Sequence, residues 1–130
     1  MSSLIFDTCF LIDFQQERKR GAGPAHRFLK DHEEAYAHLS SIAYGEFAEG
    51  FASLSDPAFL SVVEAFQLLE ITRPVADRYG RLARELRRSG QLIGSNDLWI
   101  AATAVQHELP LVTRNIDHFK RIPGLEIVPY

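Results

Sequence analysis

Gln91-Leu92-Ile93-Gly94-Ser95-Asn96-Asp97-Leu98-Trp99-Ile100-Ala101-Ala102-Thr103-Ala104 reads as a turn feeding directly into a buried helix. Gly94 opens the turn, because a residue without Cβ reaches backbone angles closed to others. Ser95 or Asn96 then offers a side-chain oxygen to the orphan N–H groups of the first turn. Leu98, Ile100, Ala101, Ala102, Ala104 and Val105 make the segment apolar nearly all round, which predicts a helix through the middle of a packed domain. One charge, Asp97, stands in its first turn. A carboxylate there gains up to about 1 kcal/mol from the helix dipole, so a plain helix-start acid is a sufficient explanation by itself. A second acid, Asp7, changes the balance, because it closes the chain's first apolar run, Leu4-Ile5-Phe6.

Outward from that helix the chain alternates strand and helix. Leu4-Ile5-Phe6 has no polar member, as a central parallel strand covered on both faces requires. Phe10 to Phe14 reads as a short helix, Gly21, Gly23 and Pro24 break it, and Ala25 to Asp31 begins another. Ala35 to Leu39 is the second strand, Ser40-Ser41 a cap, and Ile42 to Leu54 a helix carrying Glu46 and Glu49. Asp56-Pro57 restarts a helix through Ala65, and Gln67 to Ile71 is the third strand. Thr72 and Pro74 open a long helix closed by Gly90. After the Asp97 helix come a fourth strand at Leu111-Val112-Thr113, a helical turn from Asn115 to Lys120, and a terminal strand from Leu125 to Pro129. Strands separated by helices predict a three-layer α/β/α sandwich with a mostly parallel, five-stranded sheet.

That class of fold has a functional consequence. Loops after the strands gather at the carboxyl edge of the sheet, where open α/β sheets bind ligands. Asp7 follows the first strand, Thr113 ends the fourth, Glu46 lies in the helix after the second, and Asp97 starts the helix before the fourth. If the first and fourth strands are neighbours, these groups converge on one cleft. Carboxylates brought together repel one another and rise in pKa unless a cation shares the site. Oxygen ligands without a paired His or Cys select a hard ion, Mg2+ or Mn2+. Such an ion suits phosphodiester chemistry, whether in a nuclease or a phosphatase.

Composition bounds the alternatives. The 130 residues suit one domain spanning 1–130, and 46% hydrophobic with 24% charged residues is ordinary for a globular chain. Fourteen basic against 17 acidic residues give a net charge of −3, so no global charge advertises nucleic acid. A lone Cys9 excludes an internal disulfide and suits a reducing cytosol. No stretch resembles a secretion signal or a membrane span, and a cytoplasmic location is expected.

Local charge says more. From Arg73 to Ser89 there are six arginines against Asp77 and Glu85, a balance of +4, and Arg114, Lys120 and Arg121 follow the fourth strand. A solvated helix face accounts for the earlier arginines. Arg87, Arg88 and Arg114 lie closer in sequence to the proposed cleft and are candidates for phosphate contact. Asp13 reads as a solvent-facing helix acid, Glu49 as a solvated charge, and Cys9 as a small packing residue without a His to activate it. His26, His32, His38, His107 and His118 show no ligand spacing; of these, His118 is placed nearest the substrate. Trp99 reads as core. Phe47, Phe51 and Phe59, with Tyr44 and Leu54, exceed what one core needs and predict an exposed apolar groove for an amphipathic partner helix.

Phe6-Asp7-Thr8 with Leu11-Ile12, Glu46 in Ser-Ile-Ala-Tyr-Gly-Glu, Ile93-Gly94-x-x-Asp97-x-x-Ile100-Ala101-Ala102, and Val112-Thr113-x-Asn115-x-x-x-Phe119 together resemble the PIN domain. More narrowly, they resemble the VapC-type ribonuclease toxins of toxin–antitoxin pairs, over essentially the whole chain. The resemblance implies a Mg2+-dependent endoribonuclease that inhibits translation or growth, with Mn2+ able to substitute. It also implies a homodimer inhibited by a small VapB-type antitoxin, in a hetero-tetramer or larger complex. By position, Asp7, Glu46 and Asp97 match the acidic metal site, and Thr113 matches the hydroxyl residue that orients the first acid. The family's fourth acidic position falls at Asn115, an amide here, with Asp117 two residues on as the substitute. Two other readings stay open: a non-catalytic PIN-like module that binds RNA or protein, and a phosphoacceptor receiver domain. The receiver pattern, an acidic pair after the first strand, is not matched by Asp7-Thr8.

Overall fold

The computed structural model describes residues 2–130. The chain runs β1 (Ser3–Phe6), α1 (Thr8–Arg20), α2 (Pro24–Asp31), β2 (Tyr36–Ser40), α3 (Ser41–Ala48), α4 (Pro57–Val63), β3 (Gln67–Leu69), α5 (Arg73–Arg88), α6 (Ser95–Gln106), β4 (Leu111–Val112), α7 (Ile116–Phe119) and β5 (Ile127–Val128). Five strands form one sheet in the order β3-β2-β1-β4-β5, with every pairing parallel. This is the α/β/α sandwich that the alternating pattern predicts.

The order of strands positions the site. β1 is central, pairing with β2 on one side and β4 on the other. The sheet therefore reverses its direction of winding between β1 and β4, and at such a switch point the loops leave on opposite faces and open a crevice at the carboxyl edge. The condition set by the sequence, that the first and fourth strands be neighbours, is met by Ile5 against Leu111 and Phe6 against Val112.

Burial follows from composition. Leu4, Ile5 and Phe6 are buried, as are Leu111 and Val112, so the middle of the sheet is covered on both faces. The α6 segment is indeed central: Leu98, Ile100, Ala101, Ala102, Thr103 and Ala104 are all buried, and α5 packs along it. Phe6, Phe10 and Phe28 pack with tilted or edge-on rings under α1 and α2. Among the described residues, no buried side-chain nitrogen or oxygen lacks a hydrogen-bond partner.

Several local expectations change. α1 continues to Arg20 rather than stopping near Phe14. The Gln and Glu after Phe14 are good helix formers, and Arg18, Lys19 and Arg20 complement the helix C-terminus. α3 ends at Ala48 rather than Leu54. The cap of α6 is Gly94, with no side-chain capping bond, so neither Ser95 nor Asn96 plays that part. The exposed aromatic groove is absent: Phe59 and Phe47 are buried and Phe51 is half-buried. α4 folds back so that Phe59 meets Tyr44, Phe47 and Phe51 at centroid distances of 5.4, 5.8 and 5.2 Å. These rings are core, and only Leu54 of the set is exposed.

Helix α2 shows how distant residues complete an element. Its cap, Gly23, has no side chain to offer. Glu17 of α1 reaches across instead, accepting from the backbone N–H groups of Gly23, Ala25 and His26 at 2.8, 2.9 and 2.9 Å and from His26 Nδ1 at 2.8 Å. Desolvation opposes the charge on Glu17, but these donors outweigh it and lower the carboxyl from 4.5 to about 2.

Candidate functional site

Asp7 is the residue on which the carboxyl edge turns. It stands directly after β1 as the N-cap of α1, 4% exposed, with Oδ1 accepting the Thr8 N–H at 2.8 Å. Its other oxygen, Oδ2, accepts the Thr113 hydroxyl at 2.8 Å and faces the Cys9 thiol at 3.3 Å. Thr113, fully buried after β4, also accepts the Asn115 N–H at 2.9 Å, which fixes the start of the following loop. Two chain segments 106 residues apart thus lock one carboxylate in one orientation.

Glu46 enters from α3. Its Oε1 accepts the Thr8 hydroxyl at 2.6 Å, and its Oε2 accepts the Asn96 amide at 3.2 Å. Asn96, freed from capping by Gly94, ties α6 to α3 through this bond. Asp97 is the next residue, its side chain 26% exposed, with Oδ2 at 3.3 Å from His118 Nδ1. His118 Nδ1 is in turn 3.2 Å from the Asn115 amide nitrogen.

The electrostatics are uneven. Burial pushes the Asp7 carboxyl above its ordinary value; the bonds from Thr113, Cys9 and Thr8 pull it back, while the charge of Asp97 pushes it further up. Cys9 is pushed up as well, first by burial and then by Asp7, so its sulfur stays a thiol donor rather than a nucleophile. Asp7, Glu46 and Asp97 are drawn to one edge, yet among the described residues no three His, Cys, Asp or Glu side chains already converge closely enough to hold an ion.

The remaining candidates divide. Asn115 lies at the site, bonded to His118, whereas the Asp117 side chain is 88% exposed and pairs with Lys120 at 3.1 Å, turned to solvent. Arg87 and Arg88 are exposed at the C-terminal end of α5, which leads into the turn before Asp97. Arg114 does not stand free: its Nη1 donates to both oxygens of Asp13, at 2.8 and 2.7 Å. Asp13 is therefore not the solvent-facing acid the helix position suggested. It also accepts the Tyr130 hydroxyl at 2.7 Å. Asp13, Tyr130, Thr8 and Asn96 are the site residues that sequence reasoning passed over. Thr8 alone carried a usable signal, as the hydroxyl neighbour of Asp7. His118 stands beside Asp97 and Asn115, and Trp99 stacks on Tyr79 at a centroid distance of 3.8 Å as a packing residue.

Comparison with known proteins agrees with this arrangement. The family model described as PIN domain matches residues 4–125. The chain is 38% identical to the ribonuclease VapC1 of Rickettsia felis, over 96% of this chain and 94% of that one. It is 30% identical to the ribonuclease VapC1 of Methanocaldococcus jannaschii, over 97% and 87%. Its fold superposes on a chain of the crystal structure of VapBC2 from Rickettsia felis bound to a promoter DNA fragment, with a TM-score of 0.84, 25% identity and 98% of each chain covered. A carboxylate locked at the end of the central strand, two more acids beside it and this likeness along the chain agree, and the protein is a VapC-type member of the PIN domain family.

Proposed function

We propose that the chain is a Mg2+-dependent endoribonuclease, the toxin of a toxin–antitoxin pair, which hydrolyses RNA phosphodiester bonds and thereby inhibits translation or growth. The observation that carries this reading is Asp7: a buried carboxylate, oriented by Thr113 and the Thr8 N–H and raised in pKa partly by Asp97. Such a group holds unrelieved negative charge that a cation at the same edge would compensate. The relatives named as ribonucleases support RNA as substrate.

The donor set fits a hard divalent ion, since Asp7, Asp97 and Glu46 offer oxygen only. Those three would hold Mg2+ or Mn2+, with the Asn115 carbonyl as a weaker neutral fourth donor. The ion would supply polarisation of a phosphate oxygen and a lowered pKa for a bound water. The protein's own groups do the rest. Thr113 fixes the orientation of the Asp7 carboxylate through Oδ2, and Thr8 holds Glu46 Oε1 while Oε2 faces Asn96 at the exposed end of α6. Glu46 would orient the attacking water, which gives up a proton to solvent as it bonds to phosphorus, while the leaving oxygen takes one from solvent as its bond to phosphorus breaks. Arg87, Arg88 and Arg114 would take flanking phosphates.

The solved relatives in VapBC complexes support a small VapB-type antitoxin as partner. A homodimer, assembling with antitoxin into a hetero-tetramer or larger, completes the proposal, with the cytoplasm as its place of action. Among the described residues no helix is long and apolar enough to cross a membrane. The test is cleavage of a structured RNA by the purified chain with Mg2+, with Mn2+ and with EDTA. Cutting in both metals and none in EDTA is expected; cutting that persists in EDTA overturns the metal, and no cutting under any condition favours a binding module.

A further inference from the structure

The unexpected pairing of Arg114 with Asp13 carries an argument beyond charge. Arg114 is the residue after Thr113, whose hydroxyl orients Asp7, so its backbone is anchored beside the carboxylates. Its head is anchored separately, by Asp13 on α1. Asp13 is itself fixed: its side chain is 17% exposed, and the Tyr130 hydroxyl donates to its Oδ2 at 2.7 Å. Tyr130 packs edge-on against buried Phe10 at 4.8 Å and sits 3.5 Å from Cys9 Sγ, which faces Asp7 Oδ2. Polar contacts thus run from the guanidinium through Asp13, Tyr130 and Cys9 to the central carboxylate.

Its geometry leaves one edge of the guanidinium unused. Of the five N–H donors of an arginine, Asp13 takes those of Nη1. Nε and Nη2 donate to no protein atom among the described residues, and the side chain is 59% exposed. A planar cation held from behind, with a free fork facing solvent, is matched to the two oxygens of a phosphate. Its rotamer freedom is already lost before any ligand arrives, so less is lost on binding.

We propose that Asp13 and Tyr130 are positioning residues that hold Arg114 as a phosphate clamp for the RNA strand beside the carboxylate edge. This rests on the ribonuclease reading for the substrate but not for the clamp itself. If Asp13 only masked charge, Asp13→Asn would remove a negative group near RNA phosphate and tighten binding. If Asp13 positions Arg114, the same change weakens binding.

The measurement is fluorescence anisotropy of a fluorescein-labelled stem-loop RNA with a randomised loop, in EDTA, across a range of salt, with steady-state cleavage in Mg2+ alongside. Arg114→Ala is expected to weaken binding about tenfold. It should also reduce the slope of log affinity against log salt by about 0.7, the value for one phosphate contact on a single strand. Asp13→Asn and Tyr130→Phe, which preserve shape and the Phe10 packing, are each expected to weaken binding about threefold, raising KM more than they lower kcat. The double variant Asp13→Asn/Arg114→Ala should bind as Arg114→Ala does, because the two act through one contact. Tighter binding by Asp13→Asn, an unchanged salt slope in Arg114→Ala, or additive losses in the double variant would overturn the clamp. The two readings fail separately: RNA bound with this pattern but left uncut overturns the nuclease and keeps the clamp, while RNA cut by a protein with additive losses does the reverse.

Discussion

Asp7 has two unlike sides. Toward β4 everything is settled: Thr113 is fully buried, Asp7 is 4% exposed, and the bond between them joins the ends of strands that are direct neighbours. Toward α3 and α6 the groups are open. The Asp97 side chain is 26% exposed, His118 49%, and Glu46 is held by a hydroxyl and a surface amide. A hydrogen bond to a buried charged group contributes about 1.5–3 kcal/mol, whereas exposed polar pairs contribute about 0–1 kcal/mol. The inner side is thus a mould that sets one oxygen's direction, and the outer side is where water and ligand enter. Stability and activity should separate along this line.

The largest effect is expected on the open side. Glu46→Gln keeps most of the shape and removes the charge, and RNA cleavage should fall at least about a hundredfold while the melting temperature stays put. A rate within a few-fold of wild type, measured in single turnover, would show that the open side is not where the work is done.

Thr113→Val sharpens the inner side. It strips the donor from Asp7 and the acceptor from the Asn115 N–H, so it should cost about 1–3 kcal/mol in denaturant unfolding and also slow cleavage. Thr113→Ser should recover most of both. If the valine variant unfolds at the wild-type denaturant concentration, the mould is not needed.

Metal should couple the two sides. Mn2+ at ten times its dissociation constant is expected to add about 1.4 kcal/mol of stability, or roughly 3–6 °C in the melting temperature. The increment should vanish in Asp7→Asn. Asn115→Asp should tighten a second ion in calorimetric titration without RNA, whereas Asp117→Asn, whose parent carboxylate faces Lys120, should leave every binding event in place.

The smallest expected effect on cleavage is at a control remote from both sides. The Glu17 carboxyl is depressed in the fold, from 4.5 to about 2, so it contributes stability above pH 4.5 that is lost as pH falls toward 2. Glu17→Gln should melt below wild type at neutral pH, with the gap closing by about pH 2. Cleavage at neutral pH should be unaffected. A gap independent of pH would mean that Glu17 acts by shape alone.

Much of this comparison was legible in the chain before any coordinates. Asp7, Thr113 and Asp97 sit at strand ends or a helix start, where periodicity breaks, and a parallel sheet sends such positions to one edge, with Glu46 carried there by the helix that follows β2. Asp13 was not legible, because its partners lie 101 and 117 residues away and its place on α1 is that of an ordinary polar helix residue. Asn96 misled because a polar residue before an apolar helix reads as a cap, while Gly94 had already taken that place. Phe47 and Phe59 looked surplus because α3 alone cannot bury them; it is α4, folded back through Phe59, that does. Patterns along the chain identify an element's face, but not which distant element will cover it.

On the proposed reading, Asp97, across the open side from Asp7, makes this edge a metal-dependent ribonuclease site. Single-turnover cleavage of one RNA by wild type and Asp97→Asn, at matched Mg2+ and with melting temperatures recorded on the same samples, tests it most directly. The expected variant melts at or slightly above the wild-type temperature, since a charge repelling Asp7 is gone, and cuts at least about a hundredfold more slowly. A folded variant that cuts at the wild-type rate would contradict it.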